Sequence, residues 1–277
     1  MSVINTNVNA IVAQNSLVSN NRSLSKAMEQ LSTGSRINSA ADDAAGLAIS
    51  NKMTAQIRGL NQSVRNANDA ISMLQTAEGA MTEVTNMMQR MRELAVQTAN
   101  GTNTTTDKAA IQAEFAQMQA EIKRISNNTE WNGRAILTGS ANGTGPAVAF
   151  QVGANATQTI SISLNDLSAV AGVAPVLAAD TTFSAATATA ITNIDTAIAA
   201  VDTYRSTIGA TINRLNYAAD NLSNIATNTA ASRSRILDTD YAKATSELAR
   251  TQIIQQAATA MLAQANQQPA SVLSLLQ

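Results

Sequence analysis

Apolar residues recur along this chain at helical spacing. The longest stripe runs Met53, Ile57, Leu60, Val64, Ala67, Ile71, Leu74, Ala77, Met81, Val84, Met88, Met91, Ala95. Its steps alternate between three and four residues, with a single repeated three, so it reads as a heptad-like seam on one helix. A helix of about 46 residues would be roughly 69 Å long, whereas a compact chain of this size has a radius of gyration of about 19 Å. The pattern predicts a rod that works by packing against other rods.

Other stretches repeat the theme. Ile4, Val8, Ile11, Leu17, Leu24, Met28 and Leu31 form a stripe that shifts phase around Asn15, which predicts a weaker helix ending at Thr33-Gly34-Ser35. Ser39–Gly46 is expected to be a turn into the long helix, and Gly101 a left-handed stop after it. A helix over 106–127, capped by Thr106, carries Ile111, Phe115, Met118, Ile122 and Ile125. Further seams run Ile191, Ile194, Ile198, Val201, Tyr204, Ile208, Ile212, Leu215, Ala219, Leu222 and then Leu237, Tyr241, Ala244, Leu248, Ile254, Ala258, Met261, Ala265. A less ordered stretch is expected near Ser232–Ser234, and Pro269 is expected to stop the last helix.

The centre changes period. Val148, Phe150 and Val152, then Ile160, Ile162 and Leu164, alternate with polar or small residues, which predicts a β-hairpin within 147–165. Residues 177–190 are rich in Ala and Thr and read as a surface connection. The fold class is therefore mainly α: an elongated antiparallel helical rod or coiled-coil bundle with a small central β region. The terminal seams carry the adjacent pairs Ile253-Ile254, Met261-Leu262 and Leu275-Leu276, wider than one partner helix covers. This predicts polymerisation through the ends, and a fragment of residues 45–235 that stays folded and monomeric.

Composition narrows the chemistry. Apolar residues make up 45% of the chain but aromatics only 3%, which suits thin helix seams. The chain has 18 basic and 19 acidic residues and no basic run, which speaks against nucleic acid or an anionic membrane as partner. It has neither His nor Cys, so Ser-His-Asp and Cys-His nucleophilic sites and His- or Cys-based zinc sites cannot be built. No cofactor is expected. The N-terminus lacks a basic n-region, the first charge being Arg22, so a cleaved signal peptide is not expected.

Several motifs then carry a resemblance. Val3-Ile-Asn-Thr-Asn7, Leu31-Ser-Thr-Gly-Ser-Arg-Ile-Asn38, Asp42-Asp-Ala-Ala-Gly-Leu-Ala-Ile49 and Gln89-Arg-Met-Arg-Glu-Leu-Ala-Val-Gln97 resemble bacterial flagellins. So do Asn128-Thr-Glu-Trp-Asn-Gly133, Phe150-Gln-Val-Gly-Ala-Asn155, Ala231-Ser-Arg-Ser-Arg-Ile236, Leu262-Ala-Gln-Ala-Asn266 and Val272-Leu-Ser-Leu-Leu276. The likeness spans nearly the whole chain, without room for large outer domains between about 166 and 190.

The resemblance implies a filament subunit that swims by propeller rather than an enzyme. It implies a homopolymeric helical filament outside the cell, unfolded export by the flagellar type III apparatus, an export chaperone at the C-terminal segment, and filament-cap and hook-junction partners. Residues 1–44 and 233–277 would form an inner tube. Residues 45–184 and 185–232 would form a helical shell. The polymerisation seams would be Ile4, Val8, Ile11, Leu24, Met28, Leu31, Ile254, Met261, Leu262, Leu275 and Leu276. Gln89, Arg90, Leu94 and Glu114 match flagellin positions that a vertebrate Toll-like receptor recognises, although Arg90 and Glu114 also read as solvated helix charges and Leu94 as seam. Ala219 stands where many strongly recognised flagellins have a larger aliphatic residue. Met81, Met87, Met88 and Met91 read as core filler. Three alternatives stay open: a hook–filament junction protein, which would cap a filament; a monomeric receptor ligand or adhesin, which would bind without the termini; and, most remote without His or Cys, an enzyme using carboxylates such as Asp42 and Asp43.

Overall fold

The helical spacing is realised in a computed structural model as six helices, the structure describing residues 6–140, 145–178 and 187–273. They are α1 (Val8–Thr33), α2 (Ala44–Ala99), α3 (Thr105–Asn128), α4 (Ala174–Leu177), α5 (Thr187–Leu237) and α6 (Tyr241–Leu273). Two antiparallel ribbons join them: β1 (Glu130–Trp131) with β2 (Arg134–Ala135), and β3 (Ala147–Gln151) with β4 (Thr159–Ser163). The chain is mainly α with a small β region, as its periodicity predicts. It divides into two compact units, Arg58–Ala226 and Met1–Ile57 with Thr227–Gln277.

The Arg58–Ala226 unit holds the hydrophobic core. Ala67, Leu74, Ala77, Met81, Val84, Met88, Met91 and Ala95 of α2 are buried against Ile111, Phe115 and Ile122 of α3 and Ile194, Ala197, Val201, Ile208 and Leu215 of α5. Here α2 and α5 run antiparallel. Arg92 Nε donates to Asp195 Oδ1 at 2.6 Å toward one end, and Leu60 clusters with Leu222 and Ala226 toward the other. Small Ala and pliable Met side chains let helices approach with little aromatic bulk.

Thr104, not Thr106, caps α3. Its hydroxyl accepts from the Asp107 N–H while the Asp107 carboxylate accepts from the Thr104 N–H at 2.9 Å, a reciprocal capping box. Thr106 lies inside the first turn. Gly101 is not left-handed either. Asn103 Nδ2 instead donates to the Gln97 carbonyl at 2.6 Å and occupies an orphan acceptor of α2.

Asn132 and Gly133 have φ of 52° and 73° between paired Trp131 and Arg134. That is the mirror-image two-residue turn that Asn-Gly favours. In the second ribbon Phe150 faces Ile160 and Val148 faces Ile162, so the period-two pattern is packed on the helical core as expected. Asn66 Nδ2 of α2 fastens this ribbon by donating to the Gln151 carbonyl at 3.1 Å. Tyr204 is buried, and its hydroxyl donates to the Asn165 carbonyl at 3.3 Å; burial pushes its pKa up.

The expected surface connection over 177–190 is corrected at both ends. Leu177 closes α4 and is buried, and α5 starts at Thr187 with Ala190 buried. Residues 179–186 lie outside the described residues.

In the other unit α1 and α6 lie antiparallel. Asn7 Nδ2 donates to Ala265 O and Asn20 Nδ2 to Thr251 O, both at 2.8 Å. The helix α1 runs unbroken through the phase shift near Asn15, and Asn20 points inward to bond across the pair. Ser232–Ser234 is helical too, because Ser234 Oγ donates to Asp238 Oδ2 at 2.6 Å and Arg233 to Thr54 Oγ1 at 3.3 Å. Pro269 does not end α6, whose backbone stays helical to Leu273. Proline removes only one N–H and its following turns can continue.

Phe115 is wholly buried where α3 meets the core. Phe115→Ala should destabilise this unit by about 3–5 kcal/mol, read by denaturant unfolding of Trp131 fluorescence, since Trp131 packs on the same core. Exposed Met28→Ala should leave that transition within about 0.5 kcal/mol.

Candidate interaction surface

The unit formed by Met1–Ile57 and Thr227–Gln277 lacks a core of its own. Among its described residues only Ala27, Ile37 and Ala244 are buried apolar side chains. Val8, Ile11, Val12, Val18, Met28, Ile49, Tyr241, Ile253, Ile254 and Met261 are exposed. Two helices cover only one flank of each other, so a stripe wider than one seam remains in water. Both hydrophobic clusters of the described residues fall in the other unit.

The expected seam residues divide on this surface. Val8, Ile11, Met28, Ile254 and Met261 are exposed, and Leu24, Leu31 and Leu262 are half-buried. Ile4, Leu275 and Leu276 lie outside the described residues. Ile254 and Met261 are seven residues apart, hence on one face of α6.

Polar groups fix the path of the chain here. Gly34 ends α1 at φ 68°, and its carbonyl accepts from Thr239 N at 3.0 Å. Arg36 N donates to Leu237 O and its guanidinium to Ile236 O, each at 2.6 Å. Thus the turn after α1 is stitched to the end of α5. Asp43 caps α2 by accepting from Gly46 N at 2.8 Å. A Cβ on Gly46 would meet the Asp43 carboxylate and the tip of Ile37, so those side chains would have to shift.

Asp42 is the electrostatic anchor. Lys26 of α1 sits 2.8 Å from its carboxylate, and the N–H groups of Ser39 and Asn38 donate to it at 3.1 and 3.2 Å. The Lys26 hydrogen bond first, then those backbone donors, hold its pKa down at about 2. Lys26 had no periodic signal. Its partner could be found only from the turn that returns Asp42 to α1.

Four further candidates lie on α2 and α3 in the other unit. Gln89 is exposed, and Arg90 bridges exposed Glu93 and Glu114 at 2.9 and 3.1 Å. Glu93, then Glu114, raise the Arg90 pKa. Leu94 is only 1% exposed and belongs to the core. The structure therefore brings Arg90 and Glu114 together at the surface and leaves Leu94 beneath it. Neighbouring Arg92 is held by Asp195, a pairing between α2 and α5 that helical spacing alone does not reveal.

Among the described residues no group of three or more His, Cys, Asp or Glu is placed to hold a metal, and no helix is long and apolar enough to cross a membrane. One open cleft lies between α2 and the two ribbons, lined by Asn66, Asp69, Met73, Trp131 and Phe150.

Known proteins match this architecture. The family described as bacterial flagellin N-terminal helical region matches residues 4–142, and the bacterial flagellin C-terminal helical region matches residues 191–276. A flagellin of Halalkalibacterium halodurans is 48% identical over 274 residues, covering 99% of each chain. A flagellin of Bacillus subtilis is 45% identical over 301 aligned positions, again covering 99% of each. The crystal structure of Bacillus cereus flagellin superposes with a TM-score of 0.51 at 33% identity, covering 61% of this chain and 94% of that one.

The depressed Asp42 pKa has a definite pH consequence. Its contribution to stability is complete above the ordinary carboxylate value and is lost as pH falls through about 2. Acid titration followed by circular dichroism should therefore show Asp42→Asn destabilised relative to the parent at neutral pH, with the difference shrinking between about pH 4 and 2.

Proposed function

The chain belongs to the bacterial flagellin family, and on that premise we propose that its coreless unit packs against further copies of itself to propagate an extracellular flagellar filament. Flagellins are structural proteins, so the reading is of a non-enzymatic subunit. The observation that carries it is the row of exposed Val, Ile and Met on α1 and α6, which no other described residue covers. Burying one such side chain is worth about 1.5–3 kcal/mol. Many identical contacts across a heterologous, non-closing interface give an open helical polymer rather than a closed ring.

In this reading residues 1–44 and 233–277 line the filament, and 45–184 with 185–232 form the surrounding shell, the 147–165 hairpin included. Terminal helices that cannot bury their faces alone suit a chain exported unfolded through the flagellar type III apparatus. The exposed Ile253, Ile254 and Met261 of α6 offer an apolar face to an export chaperone before assembly. Filament-cap and hook-junction proteins would meet the same ends.

A second role rests on the α2–α3 surface. Exposed Gln89, with the Arg90–Glu114 ion pair bridging two helices, offers an ordered polar patch for a host Toll-like receptor. Leu94 would act by holding α2 in place, since it is buried.

Two tests follow. Seeded with filament fragments and viewed by electron microscopy, the whole chain should elongate into long uniform filaments. A chain trimmed to residues 45–235 should stay folded and monomeric, and its self-assembly would sink the proposal. In a receptor reporter assay Arg90→Ala should lower signalling while leaving the unfolding transition within about 0.5 kcal/mol; unchanged signalling removes the receptor role.

A further inference from the structure

The methionines divide sharply between the two units. Met73, Met81, Met88 and Met91 are buried, the last three completely, in the Arg58–Ala226 unit. Met28 and Met261 are 56% and 65% exposed, both among the uncovered apolar side chains of the other unit. No other described methionine is exposed: Met53, Met87 and Met118 are half-buried. With no cysteine in the chain, the most oxidisable accessible atoms among the described residues are these two thioether sulfurs.

We propose that Met28 and Met261 are oxidant-modification sites of the free chain, and that their sulfoxides block its addition to a filament. The second half rests on the polymerisation reading above. The co-reactant is a peroxide. The nucleophilic sulfur attacks one peroxide oxygen, the O–O bond breaks, and an S–O bond forms. Sulfur is oxidised by two electrons, the peroxide oxygens are reduced, and with hydrogen peroxide the balance leaves as water.

The consequence follows from where the two sulfurs sit. A sulfoxide is a strong acceptor on what was a flexible apolar side chain. In water that acceptor is solvated, so the free chain tolerates it. On a surface that must be dried by a neighbouring subunit it loses its solvent partner, and Met261 shares its helix face with Ile254, which cannot supply a donor. The buried methionines meet no peroxide unless their unit opens, so oxidation there would report unfolding.

The test uses the whole chain, as dissociated subunits and as assembled filaments, exposed to hydrogen peroxide at a dose giving about one oxygen per chain. Peptide mass mapping of the subunits should place that oxygen on Met28 and Met261 and spare Met73, Met81, Met88 and Met91; filaments should be protected at both sites. Oxidised subunits should lose about tenfold in seeded elongation per buried sulfoxide. Methionine sulfoxide reductases A and B together should restore it. The double variant Met28→Leu, Met261→Leu, close in volume and at exposed positions, should elongate normally and resist peroxide.

Equal oxidation of the core methionines would overturn the site assignment. Elongation unaffected by oxidation, or lost equally in the double variant, would overturn the block. The mass map and reductase rescue need no variant. Untreated subunits that never elongate would instead sink the polymerisation reading, while the mass map would still decide which sulfurs react.

Discussion

A pair of α-helices cannot cover itself. Each helix hides one flank on its partner and leaves the rest of its circumference to solvent, and everything distinctive about α1 and α6 follows from that geometry. Three-helix packing in the Arg58–Ala226 unit escapes it, because α2 meets both α3 and α5 and receives the ribbon of β3 and β4 as well. There the stripe from Leu60 to Ala95 finds partners within the chain. In the other unit the same kind of stripe does not, and its Val, Ile and Met side chains face water. One sequence pattern thus has two fates, decided by how many neighbours the fold supplies.

That difference explains how much was legible in the sequence. The seam through Leu74, Met81, Met88 and Ala95 was readable because a core helix satisfies its own periodicity, and the Val148–Leu164 hairpin because alternation has one physical meaning. Breaks were harder. Asn20 is polar at a position that should be apolar, and only the structure supplies the Thr251 carbonyl that makes it favourable. A lone polar residue in a stripe signals either an end or a cross-helix bond, and periodicity does not distinguish them. Thr104 and Thr106 posed a similar ambiguity, resolved by Asp107 standing three residues after Thr104, the spacing a capping box requires. The exposed terminal faces were legible as width: adjacent apolar pairs exceed what a two-helix seam uses. What periodicity could not supply was pairing across sequence distance, as between Lys26 and Asp42 or Arg92 and Asp195.

Near-absence of aromatics shapes the energetics as well. A core of Ala, Leu, Ile and Met is thin, so each unit gains less from internal burial than one filled with large rings would. Thinness also allows long straight contacts, since Ala and Met accommodate a neighbour without demanding a matching pocket. Those are useful properties in a subunit of a flagellar filament.

The turn between α1 and α2 completes the logic. Its carboxylates are saturated: Asp42 takes Lys26 and two backbone N–H groups, and Asp43 caps α2. Arg36 and Gly34 tie the same turn to the end of α5 and the residues before α6. None of these bonds needs a neighbouring subunit. Association of flexible segments is opposed by ordering entropy, on the order of 1–2 kcal/mol for each backbone residue fixed. A turn already fixed by its own hydrogen bonds is exempt from that cost, and it presents α1 and α6 as a defined pair. The polar groups thus settle the path of the chain first, and the exposed apolar faces are carried on a pair whose geometry is already set.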